Sequence, residues 1–257
     1  CRCEDWSNVL VDPDFTPEFV RNVNFSGQIK LGAFRKVFTL AGGIQKHSGI
    51  FHATLHNVVV GDDCMIEHIR NYIANYIIGS GSYLENVTDI ITYGKTSFGN
   101  GIKVSVLNET GGREVAIHDH LSSHEAYISA LYRHKPELTE ALDAMVAKYV
   151  ESVSKPFGVI GENVEILDAM HIVNVNIGAY AKIKGASRRR NGSIISCAED
   201  PVLIGMNVIA DDFIVESGSR ITDGVMISKC FVGQSCVLGH GYSASESLFF
   251  SNCQGEN

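Results

Sequence analysis

The stretch Val60-Gly61-Asp62-Asp63-Cys64-Met65-Ile66-Glu67-His68-Ile69-Arg70-Asn71-Tyr72-Ile73-Ala74-Asn75-Tyr76-Ile77-Ile78-Gly79-Ser80-Gly81-Ser82-Tyr83-Leu84 decides the fold. An apolar residue returns at every sixth position: Val60, Ile66, Tyr72, Ile78, Leu84 and, just beyond, Ile90. Two of these are followed by glycine, Val60-Gly61 and Ile78-Gly79, and a small residue sits four positions after each, Cys64 and Ser82. A period of six is neither the 3.6 of a helix nor the simple alternation of a strand, and it points to a repeat.

The apolar-Gly-x-x-small pattern recurs at Ile160-Gly161 with Val164, Ile177-Gly178 with Ala181, Ile204-Gly205 with Val208 and Val232-Gly233 with Cys236. Looser copies are Leu31-Gly32, Phe98-Gly99 and Leu238-Gly239. Ile160, Ile166 and Ile172 extend one register, and Ile177 and Ile183 resume it after a one-residue slip. Six residues make a flat strand and its corner, and three such faces complete an eighteen-residue coil. The apolar residue and the small residue point inward, and glycine lets stacked coils approach. The expected fold is mainly β: a parallel solenoid over 31–107 and 159–250.

Between the two runs the periodicity changes. Leu138, Leu142, Met145, Val146, Tyr149, Val150 and Val153 follow helical spacing, with Pro136 at a first helical position. Ser122 and Glu125 have capping-box spacing. A two-helix insertion is expected at 120–155 within a segment spanning 108–158, its apolar stripe covered by the solenoid or by a second subunit. Residues 1–30, with Trp6, Phe15, Phe19 and Phe25, read as an N-terminal cap. No capping helix follows Phe250, so the chain is expected to continue past Asn257.

Composition agrees. Val and Ile together number 50 against 14 Leu, a strand-favouring balance. The net charge of −8 argues against binding nucleic acid or a membrane surface. No apolar run is long enough for a membrane-spanning helix. Seven scattered cysteines without paired CxxC spacing read as free thiols of a reduced, cytoplasmic compartment.

Three segments carry chemistry. Gly185-Ala186-Ser187-Arg188-Arg189-Arg190-Asn191-Gly192 reads as a corner loop, whose Arg188, Arg189 and Arg190 suit a phosphate or carboxylate; the bland reading is a solvated loop. Asn108-Glu109-Thr110-Gly111-Gly112-Arg113 offers a carboxylate base and an anion-binding Arg beside Gly-Gly, which is otherwise turn chemistry. His118-Asp119-His120, with His124-Glu125, has acid–base residue types. On a strand His118 and His120 would share a face. No metal signature is matched, so no metal site is assigned. His52, His56, His68, His171 and His240 read as surface or stacked residues.

The repeat resembles the hexapeptide-repeat, left-handed β-helix superfamily, of the kind that includes UDP-N-acetylglucosamine acyltransferase and bacterial acetyltransferases. That resemblance implies left-handed coils and a homotrimer. It also implies acyl transfer from coenzyme A or acyl carrier protein, with a histidine base at a subunit cleft. The insertion, the Asn108–Arg113 segment, the tri-Arg run and Ser251–Asn257 resemble more closely an uncharacterised bacterial domain-of-unknown-function family, DUF4954, which implies no activity. Two functions are expected. One is a transferase acting on a nucleotide-activated sugar or other phosphorylated metabolite, with Glu109 or His120 as base and Asn108, Arg113 and Arg188–Arg190 on the substrate. Coenzyme A or a nucleotide sugar would be its cofactor. The other is a non-catalytic scaffold or ligand-binding solenoid.

Overall fold

The computed structural model describes residues 1–107 and 111–257. Among these residues the fold is mainly β: one 20-stranded sheet, two antiparallel hairpins and two α-helices. All registered pairings within the large sheet are parallel, and they recur at fixed steps. Leu55 pairs with Ile73 and Met65 with Tyr83, eighteen residues on. Later the step is seventeen: His171 pairs with Arg188, Ile209 with Met226, and Met226 with Ser243. Between Arg188 and Ile209 it widens to 21, four extra residues being taken up after Ile194.

The core is built from the residues singled out by period. Val60, Ile78, Ile160, Ile177, Ile204 and Val232 are all buried, as are the small partners Cys64, Ser82, Val164, Ala181, Val208 and Cys236. Close stacking explains the glycines: a Cβ on Gly79 would lie 2.6 Å from the carbonyl carbon of Gly161. Tyr72 departs from the pattern. It is 39% exposed, and Ile73 takes the buried place. The buried positions are therefore spaced seven from Ile66 to Ile73 and five from Ile73 to Ile78, and the strand Tyr72–Ile78 bends at Asn75, which adopts φ 58°. Such left-handed corners stack. Asn174, Asn191 and Asp212 all have positive φ, and each asparagine amide donates to the next side chain, at 3.1 and 3.0 Å. Asn and Asp tolerate this conformation because their short side chains hydrogen-bond locally.

Residues 1–30, expected as a cap, enter the sheet as strands. Arg2–Cys3 and Val9–Val11 both pair with Val20–Leu31, which pairs with Gly49–Val60. Pro17–Phe19 is one turn of 3₁₀ helix.

The chain leaves the sheet after Asp89–Ile91 and returns at Gly158–Ile160. The excursion therefore starts well before residue 108. Phe98-Gly99 lies outside the sheet, and Ile102–Val104 forms an antiparallel hairpin with Val115–Ile117. Helices α1 (Ser123–Leu131) and α2 (Pro136–Val153) follow, with Pro136 in the first turn of α2. The hairpin and α1 pack over the outward side chains Ile214 and Phe231, forming a second apolar cluster with Val104, Val115, Ile117 and Leu121. The sheet closes across the excursion, where Asp89 pairs with His171. The apolar stripe of α2 is only partly covered: Val146 is buried, whereas Leu138 and Met145 are exposed.

The arginine run is a correction. Arg188, Arg189 and Arg190 begin the strand Arg188–Ile194, not a corner loop. Alternation sends Arg188 and Arg190 outward and Arg189 into the core. The corner follows at Asn191.

Candidate acid–base site

The hairpin strand Val115–Ile117 ends just before His118, so His118 and His120 do not share a strand face. His118 is buried and His120 exposed. Ser122 caps α1 by accepting from the Glu125 N–H at 3.2 Å. The Glu125 carboxylate lies 2.9 Å from His118 Nε2. His118 Nδ1 accepts the His120 N–H at 3.3 Å, so the ring proton sits on Nε2 facing Glu125. His118 thus fixes the turn 118–120 and has no free ring nitrogen.

That turn presents Asp119. Its N–H donates to Asn100 Oδ1 at 2.9 Å. Its Oδ2 accepts from Asn100 Nδ2 at 3.2 Å and from the Tyr149 hydroxyl of α2 at 3.1 Å. Asn100 is itself buried and reaches Ser193 Oγ at 3.4 Å, which anchors the group to the sheet. Asp119 Oδ1 is buried and meets no donor among the described residues. Burial, reinforced by Asp119, pushes the Tyr149 hydroxyl up to about 12. The His120 ring lies 5.3 Å from the Tyr149 ring. Glu216 completes the cluster. Burial raises its carboxyl above the ordinary range, opposed by the Gln234 N–H and by His120, and Asp119 adds to the rise. Two carboxyl groups, a histidine and a tyrosine therefore share one neighbourhood, the residue types of proton transfer.

The other expected site residues disperse. Asn108 and Glu109 lie outside the described residues. Arg113 is exposed in the segment that leads into the second hairpin strand. Arg188 is held by Asp211 at 3.2 and 2.5 Å. Arg190 is exposed, and Arg189 faces the interior, where no exposed ligand reaches it.

A second polar patch escapes sequence reading. His171 Nδ1 lies 3.0 Å from Oδ2 of the buried Asp89. Tyr72, Asp89, His171 and Arg188 stand in register on successive strands, with Arg190 close enough to Tyr93 to act on its hydroxyl. Asp89 and His171 are 82 residues apart, so no spacing links them. Aligning the buried Ile73, Ile90 and Ile172 would have found Tyr72, Asp89 and His171, because each of these three precedes one of the isoleucines.

Glu67, His68 and Glu85 have the donor set and proximity for a metal ion. Lys46 Nζ already lies 2.7 Å from both carboxylates, and the Tyr83 hydroxyl donates to Glu85. A metal would have to displace that ammonium. All seven cysteines are free thiols. Among the described residues no helix is long and apolar enough to cross a membrane.

An uncharacterized protein of Treponema pallidum (strain Nichols) is 26% identical over 230 residues, which cover 85% of this chain and 32% of the relative. The chain thus spans about a third of that relative's length. The family model described as a domain of unknown function, DUF4954, matches residues 1–257. The chain belongs to the DUF4954 family.

Proposed function

We propose that the chain is a left-handed β-helix of the hexapeptide-repeat type whose excursion carries a group-transfer site centred on Asp119. The seventeen- and eighteen-residue pairing steps, the stacked left-handed corners and the buried apolar-Gly-x-x-small pattern support the solenoid reading. Handedness and the superfamily rest on resemblance.

The observation that carries the site is the buried Asp119 Oδ1 without a protein donor. A buried carboxylate oxygen costs free energy until something donates to it. A hydroxyl or amine of a small acceptor supplies that donor, and His120 and Glu216 stand beside it to exchange its proton. Orientation and proton transfer together account for the rate gain. Of the expected arginines, the exposed Arg113 and Arg190 are neither in the core, like Arg189, nor held by Asp211, like Arg188, and they would attract an activated, phosphorylated donor such as coenzyme A or a nucleotide sugar. Their approach to Asp119 depends on the ligand or a second subunit.

A thermal-shift screen with coenzyme A, nucleotide sugars and sugar phosphates tests the reading, followed by turnover assays on hits. His120→Ala and Tyr149→Phe should abolish or strongly reduce turnover while the ligand still binds. No shift from any of these probes favours the second reading, a non-catalytic scaffold that assembles with itself. The exposed Leu138 and Met145 on α2 speak for that alternative.

A further inference from the structure

Arg189 lies in the interior column Ile90, Ile172, Arg189, Ala210, Ile227, one residue from each successive strand. Its side chain is 0% exposed. Nη2 donates to the Ala186 carbonyl at 3.2 Å, while Nε and Nη1 meet no acceptor among the described residues. Among these residues no carboxylate pairs with it either. Asp211, on the next strand, is held outside by Arg188.

Size explains part of this arrangement. Arg189 lies beside Ala210, the short residue of the column, and a long side chain fills the room that alanine leaves. Methionine would fill it as well, so packing accounts for the length of the side chain and not for its charge. Burial pulls the guanidinium down only to about 9, so it stays charged at neutral pH. An unpaired charge in hydrocarbon is among the costliest features a core can hold. Water would satisfy N–H groups without supplying the missing negative charge.

We propose that the interior beside Arg189 holds a small inorganic anion of the halide class, bound by the orphaned guanidinium N–H groups and enclosed by the stacked strands. A monovalent anion matches the single positive charge. A multiply charged oxyanion would leave excess negative charge among Ile172, Val208 and Ile227, all buried. The site is separate from the Asp119 cluster and independent of any transferase activity.

Because the ion is enclosed, exchange needs unfolding. The full chain is refolded from urea into sodium bromide and, in parallel, sodium gluconate at equal ionic strength. The wild type should melt at a higher temperature in bromide. Arg189→Met should lose that difference and melt above the wild type in gluconate. A crystal grown in bromide should show an anomalous peak at the Arg189 guanidinium. Equal wild-type midpoints in the two salts would overturn the proposal. So would an Arg189→Met protein that keeps the bromide effect, or a bromide crystal without a peak there. If Arg189→Met does not fold, the two wild-type measurements decide alone.

Discussion

The Tyr149 hydroxyl donates to Asp119 Oδ2 at 3.1 Å, and this bond joins α2 to the turn after the hairpin. It is the one hydrogen bond from α2 to the acid–base cluster, among the described residues. Tyr149→Phe should therefore cost about 1–2 kcal/mol of stability, since the half-buried carboxylate loses a donor and gains none. Urea unfolding monitored by circular dichroism checks it. A cost under a few tenths of a kcal/mol would mean that water replaces the hydroxyl freely.

Glu216 bears on pH. Its folded-state carboxyl is raised above the ordinary carboxylate range, chiefly by burial. A raised group contributes stability that is complete below the unfolded value and is lost as pH rises through the folded one. Glu216→Gln should remove this slope and stabilise the protein at neutral pH relative to the wild type. Thermal midpoints of both proteins from pH 4 to pH 8 give the test; parallel curves would contradict it.

The Lys46 cluster has the opposite sign. Burial of Glu85 works against its ionisation, but the hydrogen bonds from Lys46 and Tyr83 outweigh burial and hold its carboxyl below the usual range. The resulting stability is present above the unfolded value and lost as pH falls through the folded one. Lys46→Met leaves Glu67 and Glu85 facing each other and should destabilise by about 1–3 kcal/mol at neutral pH. The gap to the wild type should shrink on acidification below 4.5. Chemical denaturation at pH 7 and pH 4 measures both.

Gly79→Ala tests the stacking. The new Cβ would meet backbone of the 161–162 segment at 2.6–2.7 Å, and backbone cannot swing aside as a side chain can. A loss of about 1–3 kcal/mol is expected. Gly94→Ala is not a fair control because Gly94 has φ 58°. Equal stability of Gly79→Ala and wild type would show that the strands can move apart at no cost.

Much of the core was legible because a six-residue period repeats one physical demand many times. Each apolar-Gly pair and each small partner meets the same narrow interior, and the match at Cys64, Ser82 or Ala181 reflects that. Tyr72 was misread because the buried positions are spaced seven and then five around it, not six and six. Arg189 is more instructive. Counting six from Ile183 lands on Arg189 and points it inward, yet its charge and its two arginine neighbours suggested a solvated loop. Periodicity outweighed residue type. In the acid–base cluster, the His118–Glu125 segment was visible as a local group of titratable residues. Asn100, Tyr149 and Glu216 were not, because they come from a turn, a helix and the residue just after a distant strand, which only the tertiary fold brings together.

The pairing of Asp89 with His171 has a kinetic side. Where the sheet does not span the excursion, paired residues lie 16 to 30 positions apart, whereas this junction must first close a loop of about eighty. The entropic cost of closure grows only with the logarithm of loop length, adding roughly 0.6 kcal/mol per doubling. It still makes this the most non-local junction in the sheet, and such contacts slow folding. The strands on either side can assemble as two separate nuclei, with docking of one on the other as the late event. The helices and hairpin then act as a hinge clasp, closed when Ile214 and Phe231 are covered.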